Sequence, residues 1–174
     1  MEWVENKFTQ SLEMSRRSLA VYRGWSDEWL SCVVALRRMQ NKPYVDVSRQ
    51  NVAGETKKLN EWYREKERIA YFLGQQATVV AFAHFTLDRQ SGREPSHLFD
   101  VEVYDPTLDK EIPQAFLQAI HYDLMTRARY EGDIWSEVDK KDTEKLQLLQ
   151  QTNYKKQAEF GKSVLMLRKG IGRY

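Results

Sequence analysis

Two apolar runs flank a short polar turn in the segment IAYFLGQQATVVAFA, residues 69–83. The first run ends at Gly74, and the second begins at Ala77 and continues to Leu87. Apolar runs joined by a glycine-containing turn are typical of a β-hairpin. In the second run both alternating sets of side chains are largely apolar, which indicates a central strand covered on both faces. The segment therefore predicts the middle of a β-sheet.

Strands and helices alternate after this hairpin. The pattern predicts a strand over residues 97–104, a helix from Pro113 to about Tyr130, a strand over 133–138, a helix over 141–152 and a last strand over 164–167, paired with 156–160 through Gly161. A helix between two strands implies a parallel pair, whereas hairpins are antiparallel. The predicted fold class is α/β (α+β), with a mixed, mostly antiparallel sheet flanked by helices and the order β-β-β-α-β-α-β over residues 69–169.

The first 68 residues are predicted to be mainly helical. A loose amphipathic stripe predicts a first helix that ends at Gly24, and its apolar members are Phe8, Leu12, Leu19 and Tyr22. Two further helices are predicted, one from Asp27, with Ser26 as its N-cap, to about Met39, and one over residues 55–67. No repeat or interdomain linker is visible, so residues 1–174 are predicted to form a single domain.

The composition excludes several classes of protein. The 174 residues are 41% hydrophobic, 30% charged and 12% aromatic, which excludes disorder as the main state. No apolar run approaches the roughly 20 residues that span a bilayer, and the N-terminus lacks the pattern of a signal peptide, so a cytoplasmic location is expected. The net charge is +2 and the basic residues are scattered pairs, which gives no strong nucleic-acid signal.

The cysteine and histidines give no catalytic or metal-binding motif. Cys32 is the single cysteine and is expected to be a reduced core residue. His84, His97 and His121 have no metal-ligand spacing, so no metal site is predicted. His84 lies on a central strand, where a hydrogen-bonded core histidine is expected.

Aromatic residues in two of the N-terminal helices and in the hairpin leave two interpretations open. At helical spacing they favour a hydrophobic core, but they would also suit an acceptor pocket between the N-terminal helices and the hairpin. The set comprises Trp25, Trp29, Trp62, Tyr63, Tyr71 and Phe72.

Three stretches resemble the GNAT superfamily of N-acetyltransferases. Residues 71–83 resemble its second and third strands, and residues 101–106, VEVYDP, resemble the end of its fourth. Residues 153–160, running into 164–169, resemble the turn after its fourth helix and the closing strands. The resemblance implies that acetyl-CoA binds where the fourth strand splays from the fifth. It also implies an amine-bearing acceptor, whose identity the sequence does not give, and a homodimer through the final strands.

The resemblance places the family's cofactor loop, (Arg/Gln)-x-x-Gly-x-(Gly/Ala), at residues 108–113. Leu108 stands at the Arg/Gln position, and Glu111 and Pro113 replace the two glycines. Glycines let backbone N–H groups approach a pyrophosphate, whereas proline has no N–H and Asp109 and Glu111 add negative charge. Lys110 alone favours a phosphate.

The resemblance also implies a set of site residues. Glu102 corresponds to a general base that some family members carry, and the alternative is a strand-edge or pocket glutamate paired with a neighbouring cation. Tyr154 is the candidate acid because Leu149 stands where the family carries its tyrosine. The implied acetyl-CoA contacts are Val101, Val103, Lys110, Ile112 and Gln114.

Three functions remain open from the sequence. The first is a divergent N-acetyltransferase that moves an acetyl group from acetyl-CoA to an amine. The second is a noncatalytic binding or dimerisation module that keeps the fold and has lost acetyl-CoA binding. The third is an α+β adaptor for nucleic acid or protein.

Overall fold

The computed structural model describes residues 19–24, 27–40, 52–75, 78–87, 97–126 and 132–170. Its elements, in chain order, are β1 (Leu19–Arg23), α1 (Asp27–Met39), α2 (Val52–Glu65), β2 (Glu67–Gln75), β3 (Thr78–Leu87), β4 (His97–Tyr104), α3 (Glu111–Thr126), β5 (Ile134–Asp139), α4 (Thr143–Gln151), β6 (Lys155–Phe160) and β7 (Ser163–Arg168).

The seven strands form one sheet in the order β1-β2-β3-β4-β5-β7-β6. The β4–β5 pair is parallel, and the other neighbouring strands pair antiparallel. Helix α3 connects β4 to β5, since parallel neighbours need a crossover connection. The mixed, mostly antiparallel sheet predicted from the order of elements is confirmed.

Helices cover the sheet on both faces. Helices α3 and α4 pack on one face, where Phe116 and Ile120 of α3 are fully buried with Phe85 of β3. Helices α1 and α2 pack on the other face, where Val33 of α1 is fully buried with Phe82 of β3. Strand β3 thus contributes to both cores, which explains why both of its alternating sets of side chains are apolar.

The N-terminal prediction is wrong at residues 19–23, which form strand β1 instead of the end of a helix. This strand pairs antiparallel with β2, with Leu19 opposite Gln75 and Arg23 opposite Tyr71. Leu19 and Val21 are buried and the residues between and after them are half-buried, so burial repeats every second residue, as in a strand on the surface of a core. Phe8 and Leu12 lie outside the described residues.

Both predicted hairpins of the core are confirmed. Strands β2 and β3 pair antiparallel, with Gln75 opposite Thr78 and a bulge after Leu73. Strands β6 and β7 pair across a turn in which Gly161 has a φ of +55°. Asn153 also has a positive φ, 70°, in the turn between α4 and β6. Asparagine tolerates this left-handed conformation better than most residues do.

A buried carboxylate links the first two strands to α3. Asp123 is fully buried, accepts a hydrogen bond of 2.8 Å from the Tyr71 hydroxyl, and lies 3.2 Å from Nη1 of Arg23. Burying a carboxylate is costly unless it is paired and hydrogen-bonded. This pairing therefore fixes both β1 and β2 relative to α3.

We expect Asp123→Asn to lower the free energy of unfolding by about 3 kcal/mol, because it leaves the Arg23 guanidinium without its buried counter-ion. Urea denaturation followed by circular dichroism measures the change. The matched control is Asp109→Asn at an exposed site, which should stay within about 0.5 kcal/mol of the unchanged chain. Equal stabilities for the two variants would contradict the assignment.

Candidate functional site

Strands β4 and β5 pair at one position and then separate. The paired residues are Leu98 and Trp135. Beyond them β4 continues to Tyr104 beside β3, and β5 continues to Asp139 beside β7. The expected splayed pair is therefore present, and we call the space between the two separating strands the β4–β5 gap.

A bulge in β4 turns Glu102 out of the regular ladder beside this gap. Phe82 pairs with Val103 and Ala83 pairs with Val101, so no residue of β3 lies opposite Glu102. The Glu102 carboxylate pairs with Arg37 of α1 through Nη2 and Oε1, and its Oε2 lies 3.3 Å from Nε2 of His84. The predicted base thus faces the α1–α2 side of the sheet, paired with a cation.

The first opening, which we call the α3–α4 cleft, has a volume of about 280 Å³. It lies between the end of β4, the loop before α3, and α4. Its lining contains one cation, one carboxylate and two amide side chains among apolar residues: Tyr104, Pro106, Leu108, Lys110, Pro113, Glu144, Gln147, Leu148 and Gln151.

The loop before α3 offers few backbone donors to this cleft. The Ile112 N–H already donates to the Asp109 carbonyl at 2.9 Å, and Pro113 has no N–H. Glu111 is exposed in the first turn, where its charge suits the helix dipole and opposes an anion. Lys110 is exposed and lines the cleft.

The other predicted cofactor contacts differ in their placement. The side chains of Val101 and Ile112 are buried in the core beneath α3, at 2% and 3% exposure. Gln114 is half-buried, and the side chain of Val103 lies outside the described set. Of the five predicted residues, the structure therefore brings the side chain of Lys110 to the cleft.

The second opening, on the opposite face, has a volume of about 270 Å³, and we call it the α2 hollow. Its walls carry two cations and two carboxylates around aromatic and apolar groups: Trp62, Lys66, Arg68, His84, Thr86, Leu98, Phe99, Asp100 and Glu137. The Arg68 guanidinium lies 3.9 Å from the centre of the Trp62 ring, a cation–π contact. The rings of Trp62 and His84 pack edge to face, with their centres 4.8 Å apart.

An ion pair links the two faces of the sheet. Nζ of Lys145, on α4, lies 3.0 Å from Oδ1 of Asp100, on β4. Helix α4 packs on the α3 face, whereas Asp100 lines the α2 hollow and its Oδ2 lies 3.9 Å from Nε2 of His84. The Lys145 side chain therefore crosses the sheet where β4 and β5 have separated.

Several solved structures that resemble this chain are acetyltransferases. Aminoglycoside acetyltransferase AAC(6')-Ib in complex with coenzyme A superimposes with a TM-score of 0.69 at 10% identity, over 87% of this chain and 95% of that one. The chain has the GNAT fold. An acetyltransferase of the GNAT family from Streptococcus pneumoniae gives 0.63 at 10% identity over 87% and 99%, and the N-acetyltransferase PseH of Campylobacter jejuni gives 0.58 at 15% identity over 87% and 97%.

Comparison of the sequence with family models and with curated proteins finds no match. The expected GNAT resemblance is thus confirmed by the fold, at sequence identities too low to carry over activity.

The candidate acid of this GNAT fold lies in the interior. Tyr154 is 2% exposed, and its hydroxyl lies 2.8 Å from Nε2 of His121 on α3. Burial raises the pKa of Tyr154 far above its usual value. Neither Tyr154 nor Leu149, the other position considered, lines the α3–α4 cleft. The structure therefore does not bring the Tyr154 hydroxyl to the cleft.

Both described histidine side chains are neutral near neutral pH. Burial lowers the pKa of His84 to about 4, against the opposing charge of Asp100, and burial lowers the pKa of His121 to about 3. The sequence favours a core histidine at position 84. The structure shows a largely buried side chain, 9% exposed, that also lines the α2 hollow. The side chain of His97 lies outside the described set.

The aromatic set divides between core and hollow. Trp29 packs on Phe72 with ring centres 4.9 Å apart, and the Tyr71 hydroxyl is bound to Asp123, so these three belong to the cores. Trp62 lines the α2 hollow, and Tyr63 packs against the core between the sheet and helices α1 and α2. Trp25 lies outside the described residues. Half-buried Cys32 packs against this core as well.

The described ranges contain no group of three or more histidine, cysteine, aspartate or glutamate residues that could hold a metal ion. No helix within those ranges is both long enough and apolar enough to cross a bilayer.

Sequence patterns missed three charged residues of the site. Asp100, Glu137 and Lys145 sit in ordinary amphipathic segments, and no local motif marks them. Their relation depends on register: Leu98 is level with Trp135, so Asp100 and Glu137, each two residues further along parallel strands, lie side by side across the gap.

We expect the free energy of unfolding to decrease as the pH falls from about 6.5 towards 5. The folded chain holds His84 and His121 neutral, whereas the unfolded chain protonates them near their usual pKa of about 6.5. Each histidine contributes up to about 1.4 kcal/mol per pH unit in this window. Urea denaturation at pH 7.5, 6.5 and 5.5 measures the slope.

The control is the double variant His84→Gln and His121→Gln, which should show a flatter dependence over the same range. A slope unchanged by the two substitutions would show that other groups cause the pH dependence.

Proposed function

We propose that this chain is an N-acyltransferase that moves an acetyl group from acetyl-CoA to an amine. One observation carries the proposal: strand β4, which separates from β5 beyond Leu98, contributes Tyr104 to the α3–α4 cleft and Asp100 to the α2 hollow on the opposite face. Acyl transfer needs a donor and an acceptor that approach one carbonyl carbon from different directions. A gap between two chambers provides that geometry, and holding both reactants there removes much of the entropic barrier.

The α3–α4 cleft is the proposed donor side. The amides of Gln147 and Gln151 offer hydrogen bonds to the amide groups of a pantetheine arm, and Leu148 offers an apolar contact. Lys110 is the cation available to a phosphate. Because Glu111 is acidic and Pro113 has no N–H, we expect weak binding of the pyrophosphate and an acetyl-CoA affinity that depends mainly on the arm.

The α2 hollow is the proposed acceptor side. Glu137 offers a carboxylate to a cationic amine in this hollow, whereas Asp100 is already paired with Lys145. Glu102 is the proposed base that accepts a proton from the amine through water, with His84 3.3 Å away as a neutral partner. The bulge places this carboxylate beside the gap, and its pairing with Arg37 holds it in one orientation.

We expect saturable thermal stabilisation of the chain by acetyl-CoA. Glu111→Gln should tighten binding about threefold and Lys110→Ala should weaken it by a similar factor, as for single exposed charges near a phosphate. Isothermal titration at low salt measures both constants. The control is Glu61→Gln, an exposed carboxylate on α2, which should bind as the unchanged chain does.

No stabilisation at millimolar acetyl-CoA would reject the enzyme proposal. It would favour the second candidate, a binding module that keeps the fold without the cofactor. One observation supports that candidate: Glu111 is acidic and Pro113 has no N–H at the two positions where the cofactor loop carries glycine.

Glu102→Gln should lower kcat about 100-fold with little change in the KM for acetyl-CoA, since a general base contributes between about 10² and 10⁴. The assay follows amide formation by mass spectrometry with lysine, spermidine and kanamycin as acceptors. Denaturation of the variant separates catalysis from stability, because the substitution also removes the partner of Arg37. Full activity in Glu102→Gln would remove this residue from the mechanism.

A further inference from the structure

The position of Lys145 is fixed at both ends. Its backbone N–H donates to the Asp142 side chain at 3.1 Å, an N-cap contact that anchors the first turn of α4. Its ammonium lies 3.0 Å from Asp100 Oδ1, and the side chain is 14% exposed. A long, flexible side chain is thus held at both ends, with its charge against Asp100, two residues beyond the position where β4 pairs with β5.

Lys145 also lies on the correct face of α4 for a role in the donor chamber. It precedes Leu148, which lines the α3–α4 cleft, by three residues, and residues three apart are neighbours on one face of a helix. Its neighbour Glu144 lines the α3–α4 cleft, while its charge partner Asp100 lines the α2 hollow. Lys145 therefore connects the helix that lines the α3–α4 cleft to a carboxylate that lines the α2 hollow.

Acyl transfer from a thioester releases a sulfur anion that needs a cation or a proton. The predicted acid does not serve, since the Tyr154 hydroxyl is turned to His121 in the interior. Tyr104 lines the cleft, but its hydroxyl donates to Glu144 at 3.2 Å, and burial raises its pKa to about 12. The Lys145 ammonium is paired with Asp100, whose Oδ2 lies 3.9 Å from Nε2 of His84, and Arg37 and Arg68 are the other cations close enough to act on that histidine.

We infer that Lys145 is the catalytic residue that protonates the departing thiolate, with Asp100 as its positioning residue. The inference rests on the proposed function. The amine nitrogen forms a bond to the carbonyl carbon, the C–S bond breaks, and the sulfur takes one proton from the Lys145 ammonium. The amine nitrogen releases one proton, through Glu102, to water, and Lys145 regains one from water. The sum is thioester plus amine to amide plus thiol.

The test varies the leaving group. A thiol of low pKa leaves without a proton, so a chain without the acid should still use it. The probes are acetyl-CoA and the S-acetyl ester of 5-thio-2-nitrobenzoate, each with the acceptor that the unchanged chain acetylates fastest. The variants are Lys145→Arg, which keeps a cation for Asp100 but does not give up a proton, and Lys145→Met.

We expect Lys145→Arg to lower kcat with acetyl-CoA about 100-fold or more and kcat with the aryl thioester less than about tenfold. Lys145→Met should show the same difference between the two thioesters. If Lys145→Met does not fold, the result for Lys145→Arg decides the test. The control is Tyr104→Phe, which removes the competing hydroxyl and should change kcat by the same factor with both thioesters.

Equal losses with both thioesters would overturn the inference, because a purely structural role affects both donors alike. A leaving-group-dependent loss in Tyr104→Phe would overturn it too and assign the proton to that tyrosine. An unchanged chain that acetylates no amine from either donor rejects the proposed function and the inference with it. An active chain with unaffected Lys145 variants rejects the inference alone.

Discussion

The β4–β5 gap is the constraint on which the rest of the structure depends. A parallel pair held at one position cannot complete a ladder, so the sheet needs other contacts to stay intact there. Helix α3 supplies them on one face, with Phe116, Leu117 and Ile120 fully buried against the strands. On the other face Glu102 joins β4 to α1 through Arg37. The β4–β5 gap stays open without loss of the fold because packing on both faces of the sheet replaces the hydrogen bonds that the two strands do not form.

Much of the architecture could be predicted from sequence because its signals are local. The hairpin at residues 69–83, the proline in the first turn of α3 and the closing hairpin each depend on neighbours within a few positions. Strand β1 was not predictable in this way. Five residues at a sheet edge satisfy a loose helical period as well as a strand period, and only pairing with β2 decides between them.

The candidate site was predictable in part. The splay, the altered loop and the position of Glu102 beside the gap follow from the order of elements and the resemblance. Asp100 and Lys145 are 45 residues apart and meet through the register of two strands and the direction of α4, which no spacing encodes. Tyr154 does not line the cleft because its hydroxyl lies 2.8 Å from Nε2 of buried His121. The two residues are 33 positions apart, so the local sequence around Tyr154 does not reveal this contact.

Strand β6 bears on how the protein behaves at high concentration. It is an edge of the sheet, and its six residues, KKQAEF, are all exposed. Exposed edges pair readily with other chains, and lysines and bulges are the features that oppose such pairing. Here Lys155 and Lys156 open the strand, and a bulge follows at residues 156–158. A sheet that ends in a charged, kinked strand resists growth into fibres.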